Sequence, residues 1–469
     1  MLKQFTLRDQ NLFAELSGDH NPVHSDEILA RRTLFGRRIV HGIHIVLWAL
    51  DHWLGLDTGP IELESLEADF PKAIGIGDEL ELLSTSENGA TVSFRLVEGN
   101  SVVANVTLRF TESKNHAKIF PPNMYPPKKD CCVLAPSDAV SAKGDLALYL
   151  ESDSLDTLFP NAARRLPPSQ IAALLATTRL VGMECPGWHS IYSGLELAFS
   201  PVEKGAHRLS YYVQSYDPRF SLLRMKVEAH GIAGTIKAFF RPVPGEQIGF
   251  EEACRVVEPS EFAEQDALVV GGSRGLGEVT AKLLAAGGST VVLTYFRGAE
   301  DAQRVVAEIN QGGGSASCLE LNVLSIPQDL PAQLGTRRMP SHFYYFATPS
   351  ILSTVGGSFS VELFKSFCDY YVVGFMSVID ALDRLGSGPR NIFFPSTVFI
   401  DEMPRGMREY CAAKAAGEEL CRFLEKKRPA TKIHTPRLPR LGTDQTASLM
   451  SIQNPDTVEV LLPEIRKMK

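Results

Sequence analysis

Residues 16–26 read LSGDHNPVHSD, and IVHG follows at 39–42. The Asn-Pro step at 21–22 predicts a tight loop, because proline fixes its own φ and pushes the preceding residue out of the helical region. Asp19 and His24 are five residues apart, which suits a loop better than one face of a helix. A carboxylate and an imidazole that converge from one loop can share a proton-transfer task. We therefore predict that both are catalytic.

The segment 18–24, GDHNPVH, fills every position of a Gly-Asp-x-Asn-Pro-x-His signature. It resembles the signature of MaoC-like, (R)-specific enoyl-CoA hydratases, which have the hot-dog fold. The resemblance implies hydration of enoyl thioesters by Asp19 and His24, with Asn21 and His41 close to the substrate. The alternative is a loop of satisfied polar groups over a core. Five specified residues, matched at fixed spacing over seven positions, favour the catalytic interpretation.

Gly42 begins an apolar run, residues 43–54, that predicts a helix buried on several sides. The free N–H groups at a helix N-terminus favour negative charge. A thioester carbonyl gains negative charge when its α-proton leaves. We therefore predict that Gly42 contributes to an oxyanion hole.

The first third continues as a meander of strands, and the middle third repeats its order. Hairpin turn chemistry separates the predicted strands 61–69, 78–85, 90–98 and 101–111. A strand at 145–151, a helix through about Leu180 and four more strands follow, at 190–199, 207–216, 221–229 and 232–241. This second copy lacks the signature. The predicted fold is α+β, a double hot dog with a degenerate second half. His189 is a candidate substrate-binding residue if the halves share a cleft, and a turn with a satisfied histidine is the alternative.

Residues 267–277 read ALVVGGSRGLG, a buried strand and a Gly-rich turn that opens a helix. Glycines allow close backbone approach to a pyrophosphate, and the helix N-terminus favours its charge. The pattern resembles the Gly-x-x-x-Gly-x-Gly loop of short-chain dehydrogenases/reductases, which implies an α/β Rossmann domain. The implied cofactor-binding residues of this loop are Gly271, Ser273, Arg274, Gly275, Leu276 and Gly277.

The residues at the end of the second strand determine whether a Rossmann domain prefers NAD or NADP. NAD enzymes place an acid there, whereas this chain has Tyr295 and Arg297. Arg297 together with Arg274 suits a 2′-phosphate, so we predict NADP(H). The resemblance also implies contacts from Asn322 and Val323 to the adenine, and it implies that Ala347 is a further cofactor-binding residue.

Tyr410 and Lys414 match the Tyr-x-x-x-Lys signature of the same family. On one helix face, Lys414 is expected to lower the Tyr410 pKa and to hold the ribose. The family serine corresponds by spacing to Thr397, with Ser396 beside it, and both are candidates. Two departures stand out: Tyr-Phe-Ala-Thr at 345–348 replaces Asn-Asn-Ala-Gly, and Tyr371 replaces an asparagine that supports a proton relay.

We predict five segments: a hot-dog domain at 1–112, a connector at 113–144, a second hot-dog domain at 145–242, a connector at 243–265 and the reductase at 266–469. The combination predicts a bifunctional enzyme that reduces 3-ketoacyl thioesters with NADPH and interconverts 3-hydroxyacyl and enoyl thioesters, on CoA or an acyl carrier protein. One alternative is a hydratase whose second domain is a nucleotide-binding scaffold. Another is a non-catalytic acyl-binding module.

The composition is that of an ordinary globular protein, with 469 residues, 44% hydrophobic content and a net charge of −8. That charge disfavours nucleic acid and anionic membranes as partners. The eight cysteines form no Cys-x-x-Cys pair, so we expect reduced thiols in a cytoplasmic protein. No cluster of His, Cys and acidic residues has metal-ligand spacing in the sequence, so we expect no structural metal. The N-terminus lacks the apolar region of a secretory signal. Family habit suggests a homodimer or homotetramer.

Overall fold

A computed structural model describes residues 1–56, 59–113, 123–200, 207–243, 245–327, 330, 340–351, 359–384, 390–446 and 453–469. The described residues form two compact units, one over Met1–Val243 and one from residue 245 onward. The first unit has one continuous hydrophobic core. The second has two, one on each face of its sheet.

Ten described strands of the first unit form one antiparallel sheet in the order β1-β3-β4-β5-β2-β7-β10-β9-β8-β6. Their bounds are β1 Leu2–Gln4, β2 Ile61–Asp69, β3 Glu79–Asn88, β4 Thr91–Glu98, β5 Ser101–Glu112, β6 Lys143–Ala147, β7 Ser190–Phe199, β8 Arg208–Asp217, β9 Leu222–Ala229 and β10 Ile232–Phe240.

The sheet is built from two halves with the same strand order. β2 to β5 pair as β3-β4-β5-β2, and β7 to β10 pair as β8-β9-β10-β7. The halves join where β2 pairs antiparallel with β7, with Asp69 opposite Gly194. Because this junction pairs one edge of each half, neither edge is left open.

Each half contributes one apolar helix to the shared core. The described helices of this unit are Leu7–Ser17, Pro22–Ser25, Glu27–Arg31, Gly42–Leu54, Pro136–Ala139, Ser152–Leu158, Pro160–Arg165 and Pro168–Arg179. The core helices are Gly42–Leu54 and Pro168–Arg179, and a π-helical turn, Leu180–Glu184, extends the second. The first of the described helices begins at Leu7. Thr6 and Asp9 form a capping box there, with reciprocal hydrogen bonds of 2.9 and 3.1 Å.

The second unit contains a parallel sheet of six described strands, ordered β13-β12-β11-β14-β15-β17. The strands are β11 Asp266–Val270, β12 Thr290–Tyr295, β13 Ser315–Glu320, β14 His342–Tyr345, β15 Asn391–Phe393 and β17 Lys432–His434, and β16 Ser396–Thr397 pairs with β18 Arg437–Leu438. Its described helices are Phe250–Val256, Gly275–Ala286, Ala299–Gln311, Val361–Cys368, Phe375–Asp383, Phe399–Glu402, Arg408–Lys427 and Thr457–Arg466. This order places the carboxyl ends of β11 and β14 side by side at the switch point where doubly wound folds bind ligands.

The structure describes part of each predicted connector. Residues 114–122 of the first lie outside the described residues. Farther along, Pro126 is buried and packs where a Cβ on Gly18 would meet it at 2.6 Å. In the second, Phe250 and Phe262 are buried in a core of the second unit, so the described part of 243–265 belongs to that unit after Val243. No helix among the described residues is both long and apolar enough to span a membrane.

Candidate active sites

Asn21 holds the loop that carries the predicted catalytic residues. Its Oδ1 accepts from Val23 N at 3.2 Å and caps the helix Pro22–Ser25. Its Nδ2 donates to carbonyl oxygens of the second half, those of Gly182, Gly187 and Trp188, at 3.0, 3.2 and 3.3 Å. The side chain is buried and its polar atoms are engaged. This geometry favours a role in positioning the loop over the predicted contact with substrate.

Asp19, His24 and His41 converge. One carboxylate oxygen and one nitrogen of each ring lie within 4.8 Å of one another. His24 Nδ1 is 2.9 Å from the carbonyl oxygen of Ile39, which can only accept, so Nδ1 carries the proton and Nε2 keeps a lone pair in the neutral ring. The site therefore presents a basic nitrogen next to a carboxylate. Three such groups could also ligate a metal, and the expectation that the chain binds none stays a prediction.

His41 lies behind His24, with ring centroids 3.6 Å apart. Its Nδ1 is 2.9 Å from Gln10 Oε1 and its Nε2 is 3.1 Å from the backbone oxygen of Asp19. Burial lowers the pKa of His41 well below its ordinary value. Both ring nitrogens lie within hydrogen-bonding distance of protein oxygens, so this geometry favours His41 as a support for the His24 ring over the predicted contact with substrate.

Burial dominates the electrostatics of the pair. It raises the pKa of the Asp19 carboxyl, although His24 and the Thr178 hydroxyl act in the opposite direction. Burial likewise lowers the pKa of His24, although Asp19 acts to raise it. Neutral His24 thus lies beside a carboxyl whose proton affinity is increased, and the two can exchange a proton at low cost.

The second half completes the environment of Asp19. The Thr178 hydroxyl donates to Asp19 Oδ2 at 2.7 Å, from a helix 159 residues away in the chain. The π-helical turn brings Gly182 so close that a Cβ there would lie 2.0 Å from Asp19 Oδ1. Only glycine allows this approach. Sequence analysis missed both residues. The one available signal was a pair of threonines, at 177–178, at the end of an otherwise apolar helix.

Gly42 is the first residue of its helix, as predicted, so its N–H has no partner within the helix. A Cβ on Gly42 would meet the Phe70 ring at 3.1 Å, and that ring packs on Tyr192 with centroids 5.5 Å apart. His189 is half-buried and lies beside Arg241, whose backbone N–H donates to the His189 oxygen at 2.6 Å.

The Gly-rich turn of the second unit has the predicted strand-turn-helix form. Gly271 and Gly275 have φ of 79° and 58°, and the helix begins at Gly275. A Cβ on Gly277 would lie 2.2 Å from the Gly271 oxygen, and one on Gly271 would lie 2.9 Å from Ala347 N. These approaches require glycine and leave the helix N-terminus open to a phosphate, so the turn fits a dinucleotide. Ser273 and Leu276 complete the turn.

The residues predicted to choose the dinucleotide lie around this turn. Arg274 Nη1 is 3.7 Å from Asp444 Oδ2. Arg297 is exposed after β12 and lies over the Phe296 ring, and Tyr295 ends that strand. Asn322, which precedes Val323, accepts from Leu324 N through Oδ1 at 3.0 Å and closes a turn.

The structure separates the two candidate hydroxyls. Thr397 hydrogen-bonds the Tyr410 side chain. Ser396 instead donates to Glu418 Oε1 at 2.5 Å, and Glu418 pairs with Arg437. Of the two, Thr397 is therefore the one that contacts the predicted catalytic tyrosine, and the Ser396 hydroxyl is used in a structural network.

Lys414 Nζ lies closer to the Tyr371 ring than to the Tyr410 ring. Its Nζ donates to the Pro395 oxygen at 2.7 Å and lies 4.0 Å from the centroid of the Tyr371 ring, but 6.0 Å from that of Tyr410. Burial lowers the pKa of Lys414 to about 7. Burial also raises the pKa of Tyr410, so the expected lowering by Lys414 is absent: burial outweighs a shared helix face. The Oη of Tyr371, the residue predicted to replace the family asparagine, lies 2.5 Å from Thr348 Oγ1.

Comparison with known proteins gives two separate family matches. Residues 3–107 match the MaoC like domain, and residues 265–331 match the short chain dehydrogenase family. A 3-oxoacyl-[acyl-carrier-protein] reductase of Synechocystis sp. is 49% identical over 59 residues, which is 13% of this chain and 24% of the relative. An NADPH-dependent aldehyde reductase-like protein of Arabidopsis thaliana is 29% identical over 229 residues, 44% of this chain and 82% of the relative. A 3-hydroxybutyryl-CoA dehydratase of Methylorubrum extorquens is 48% identical over 42 residues, 9% of this chain and 27% of the relative.

The alignments with the Synechocystis reductase and the Methylorubrum dehydratase thus span about a quarter of each relative. The first family match includes the loop of Asp19 and His24, and the second includes the Gly-rich turn. The chain therefore carries a MaoC-like domain at its N-terminus and a short-chain dehydrogenase domain later in the sequence.

Proposed function

We propose that this chain is a bifunctional acyl-thioester enzyme. Its first unit, interpreted as a double hot dog, interconverts enoyl and 3-hydroxyacyl thioesters, and its second reduces 3-ketoacyl thioesters. The convergence of Asp19 and neutral His24 on one site supports the first activity most directly. The matched relatives act, by name, on an acyl carrier protein thioester and on a CoA thioester, so either carrier suits the proposal. One chain that holds both activities raises the local concentration of their shared intermediate.

In hydration, a water molecule would donate hydrogen bonds to the Asp19 carboxylate and to His24 Nε2. One of these groups takes a proton as the water oxygen attacks C3 of the enoyl group. That proton is then delivered to C2, so that H and OH are added across the double bond. The Gly42 N–H would stabilise the negative charge that develops on the thioester oxygen. Dehydration is the same path in reverse.

In reduction, a bound nicotinamide dinucleotide supplies hydride to the ketone carbon. Tyr410 would donate a proton to the ketone oxygen, with Thr397 orienting that oxygen through a hydrogen bond. Lys414 would hold the ribose. We propose NADP(H) because Arg274 in the Gly-rich turn and Arg297 after β12 could pair with a 2′-phosphate, and the name of the Arabidopsis relative states NADPH dependence.

A single-activity hydratase is the second candidate. The Tyr371 ring lies 4.0 Å from Lys414 Nζ, where the family asparagine would support a water relay. Loss of this relay would slow proton resupply without preventing dinucleotide binding. The second unit would then act as a nucleotide-binding scaffold.

The two candidates are separated by two absorbance assays on the purified chain. One follows NADPH with acetoacetyl-CoA, and the other follows the enoyl band of crotonyl-CoA. A fall in both the NADPH absorbance and the enoyl absorbance supports the bifunctional enzyme. A fall in the enoyl absorbance alone supports the single-activity hydratase, provided that NADPH is also not oxidised with a ketone substrate on an acyl carrier protein. Silence in both assays contradicts the proposal.

Thr178→Val is expected to raise the apparent pKa of the acid limb of the hydration pH profile by about one unit. A shift of that size corresponds to the free energy of one hydrogen bond to a charged group. The reason is that the lost hydroxyl lowers the Asp19 pKa, so without it the carboxylate is protonated at a higher pH. The measurement is kcat against pH with crotonyl-CoA. An unchanged profile, with the fold intact by circular dichroism, would remove Thr178 from the mechanism.

NADPH binding is expected to weaken as the pH rises from 6 to 9, with an inflexion near 7. Below that value Lys414 is an ammonium that donates to the ribose, and above it the amine is neutral. Fluorescence titration gives Kd at each pH, and Lys414→Met supplies the baseline for titration of the cofactor itself. Equal pH dependence in the two proteins would contradict the assigned role of Lys414.

A further inference from the structure

Arg241 is a buried cation with two unused donors. It follows β10 and is 5% exposed. Its Nη2 donates to the Trp188 oxygen at 2.6 Å, while Nε and Nη1 are buried without a hydrogen-bond partner among the described residues. No carboxylate among those residues forms an ion pair with it. Burial lowers the pKa of Arg241 to about 10, so the group still carries its charge at neutral pH.

The guanidinium borders the hydratase site. The Trp188 oxygen that it contacts also accepts from Asn21 Nδ2, the amide of the signature loop. One more buried polar atom, His189 Nδ1 on the adjacent turn, has no hydrogen-bond partner among the described residues. Tyr192, on the adjacent strand, packs on Phe70, which in turn contacts Gly42. Arg241, His189 and Tyr192 thus flank the region between the signature loop and the proposed oxyanion hole.

A buried charge without a partner is costly, and an anion in contact with it recovers most of that cost. The planar fork of arginine matches a carboxylate with two parallel hydrogen bonds. Histidine and tyrosine can donate to the same group. The phosphates of CoA or of a carrier arm are separated from the thioester by the whole pantetheine chain. Arg241, in contrast, shares the Trp188 oxygen with Asn21 of the signature loop, where the acyl group is proposed to react.

Building on the proposed hydratase activity, we propose that Arg241, with His189 and Tyr192, binds a carboxylate on the acyl group of the substrate. The preferred substrate class is then an enoyl or 3-hydroxyacyl thioester that carries an anionic group close to the reacting carbons. An acyl chain that ends in a methyl group at that position would leave Arg241 unpaired.

The test compares crotonyl-CoA with 3-carboxyacryloyl-CoA, in which a carboxylate replaces the terminal methyl. For the full-length chain, kcat/KM for hydration is expected to be about 10- to 100-fold higher with the carboxylate, the gain from hydrogen bonds to a charged group. Arg241→Gln is expected to abolish this preference, so that the two thioesters give similar kcat/KM values. Arg224→Gln, which removes an exposed arginine of β9, is the matched control and should keep the preference.

Two further measurements keep the test decisive if Arg241→Gln does not fold. In the unmodified chain, succinyl-CoA should inhibit crotonyl-CoA hydration at an about tenfold lower concentration than butyryl-CoA. The same preference should persist with phosphate-free N-acetylcysteamine thioesters. Its loss there would assign Arg241 to carrier phosphates and overturn the proposal. Equal use of the two acyl groups would also overturn it while leaving the hydratase assignment intact. Hydration of neither thioester would instead contradict the proposed function itself.

Discussion

Asp19→Asn is expected to lower kcat for enoyl thioester hydration by about 10²- to 10⁴-fold, the usual contribution of a positioned acid or base. The amide keeps the size of the carboxyl and fits against Gly182, but it can neither accept the water proton nor deliver it to C2. The NADPH-dependent reduction measured in the same preparation should remain within about twofold of the unmodified chain, because Tyr410 and Lys414 belong to the other unit.

The control for this substitution is Asp26→Asn, seven positions along the same segment. Asp26 is exposed, and its Oδ1 caps the helix Glu27–Arg31 by accepting from Leu29 N at 2.9 Å. The Asp26→Asn variant loses the same charge as Asp19→Asn and should hydrate crotonyl-CoA at close to the original rate. A rate for Asp19→Asn close to that of Asp26→Asn would show that Asp19 is not the catalytic carboxylate.

Tyr410→Phe is expected to have the opposite pattern, with ketone reduction lowered about 10²- to 10⁴-fold and hydration unchanged. The variant removes the O–H that is proposed to protonate the ketone oxygen and that Thr397 contacts. The ring remains to pack on Phe367 and Tyr371, so the fold of the unit should persist. The assay is NADPH oxidation with acetoacetyl-CoA.

Tyr344→Phe is the matched control for this variant. Tyr344 is buried in the same unit, and its hydroxyl donates to Gln265 Oε1 at 2.9 Å. The Tyr344→Phe substitution therefore also removes one buried hydroxyl. Reduction by Tyr344→Phe should stay close to the original rate. If Tyr410→Phe reduces as fast as Tyr344→Phe, another group supplies the proton, and the assignment of Tyr410 fails.

Together the two variants decide between the bifunctional and single-activity enzymes. If the unmodified chain hydrates the enoyl thioester through Asp19 but does not reduce the ketone, the result would agree with loss of the proton relay at Tyr371. Reduction that depends on Tyr410 would show that the proton reaches Lys414 by a route other than the family asparagine.

The sequence by itself predicted the chemistry that we propose for both units, because each signature is short and local. Asn21 and Pro22 dictate the loop that carries Asp19 and His24, and the Gly-rich turn at 271–277 dictates its own strand-turn-helix form. Alternating and apolar patterns also predicted the strands of both halves to within a few residues, since side-chain periodicity records which face is buried.

Only the tertiary structure decided what surrounds those signatures. Thr178 and Gly182 reach Asp19 from the other half of the sheet, and no local pattern encodes a contact over that separation. Lys414 shares a helix face with Tyr410 yet turns to the Pro395 oxygen. Nothing in the sequence distinguishes Arg241 from other arginines, and the burial of its Nε and Nη1 without a hydrogen-bond partner among the described residues follows from the packing of strands far apart in the chain. Side-chain direction and desolvation are set by long-range packing, and these two quantities decide which polar groups act.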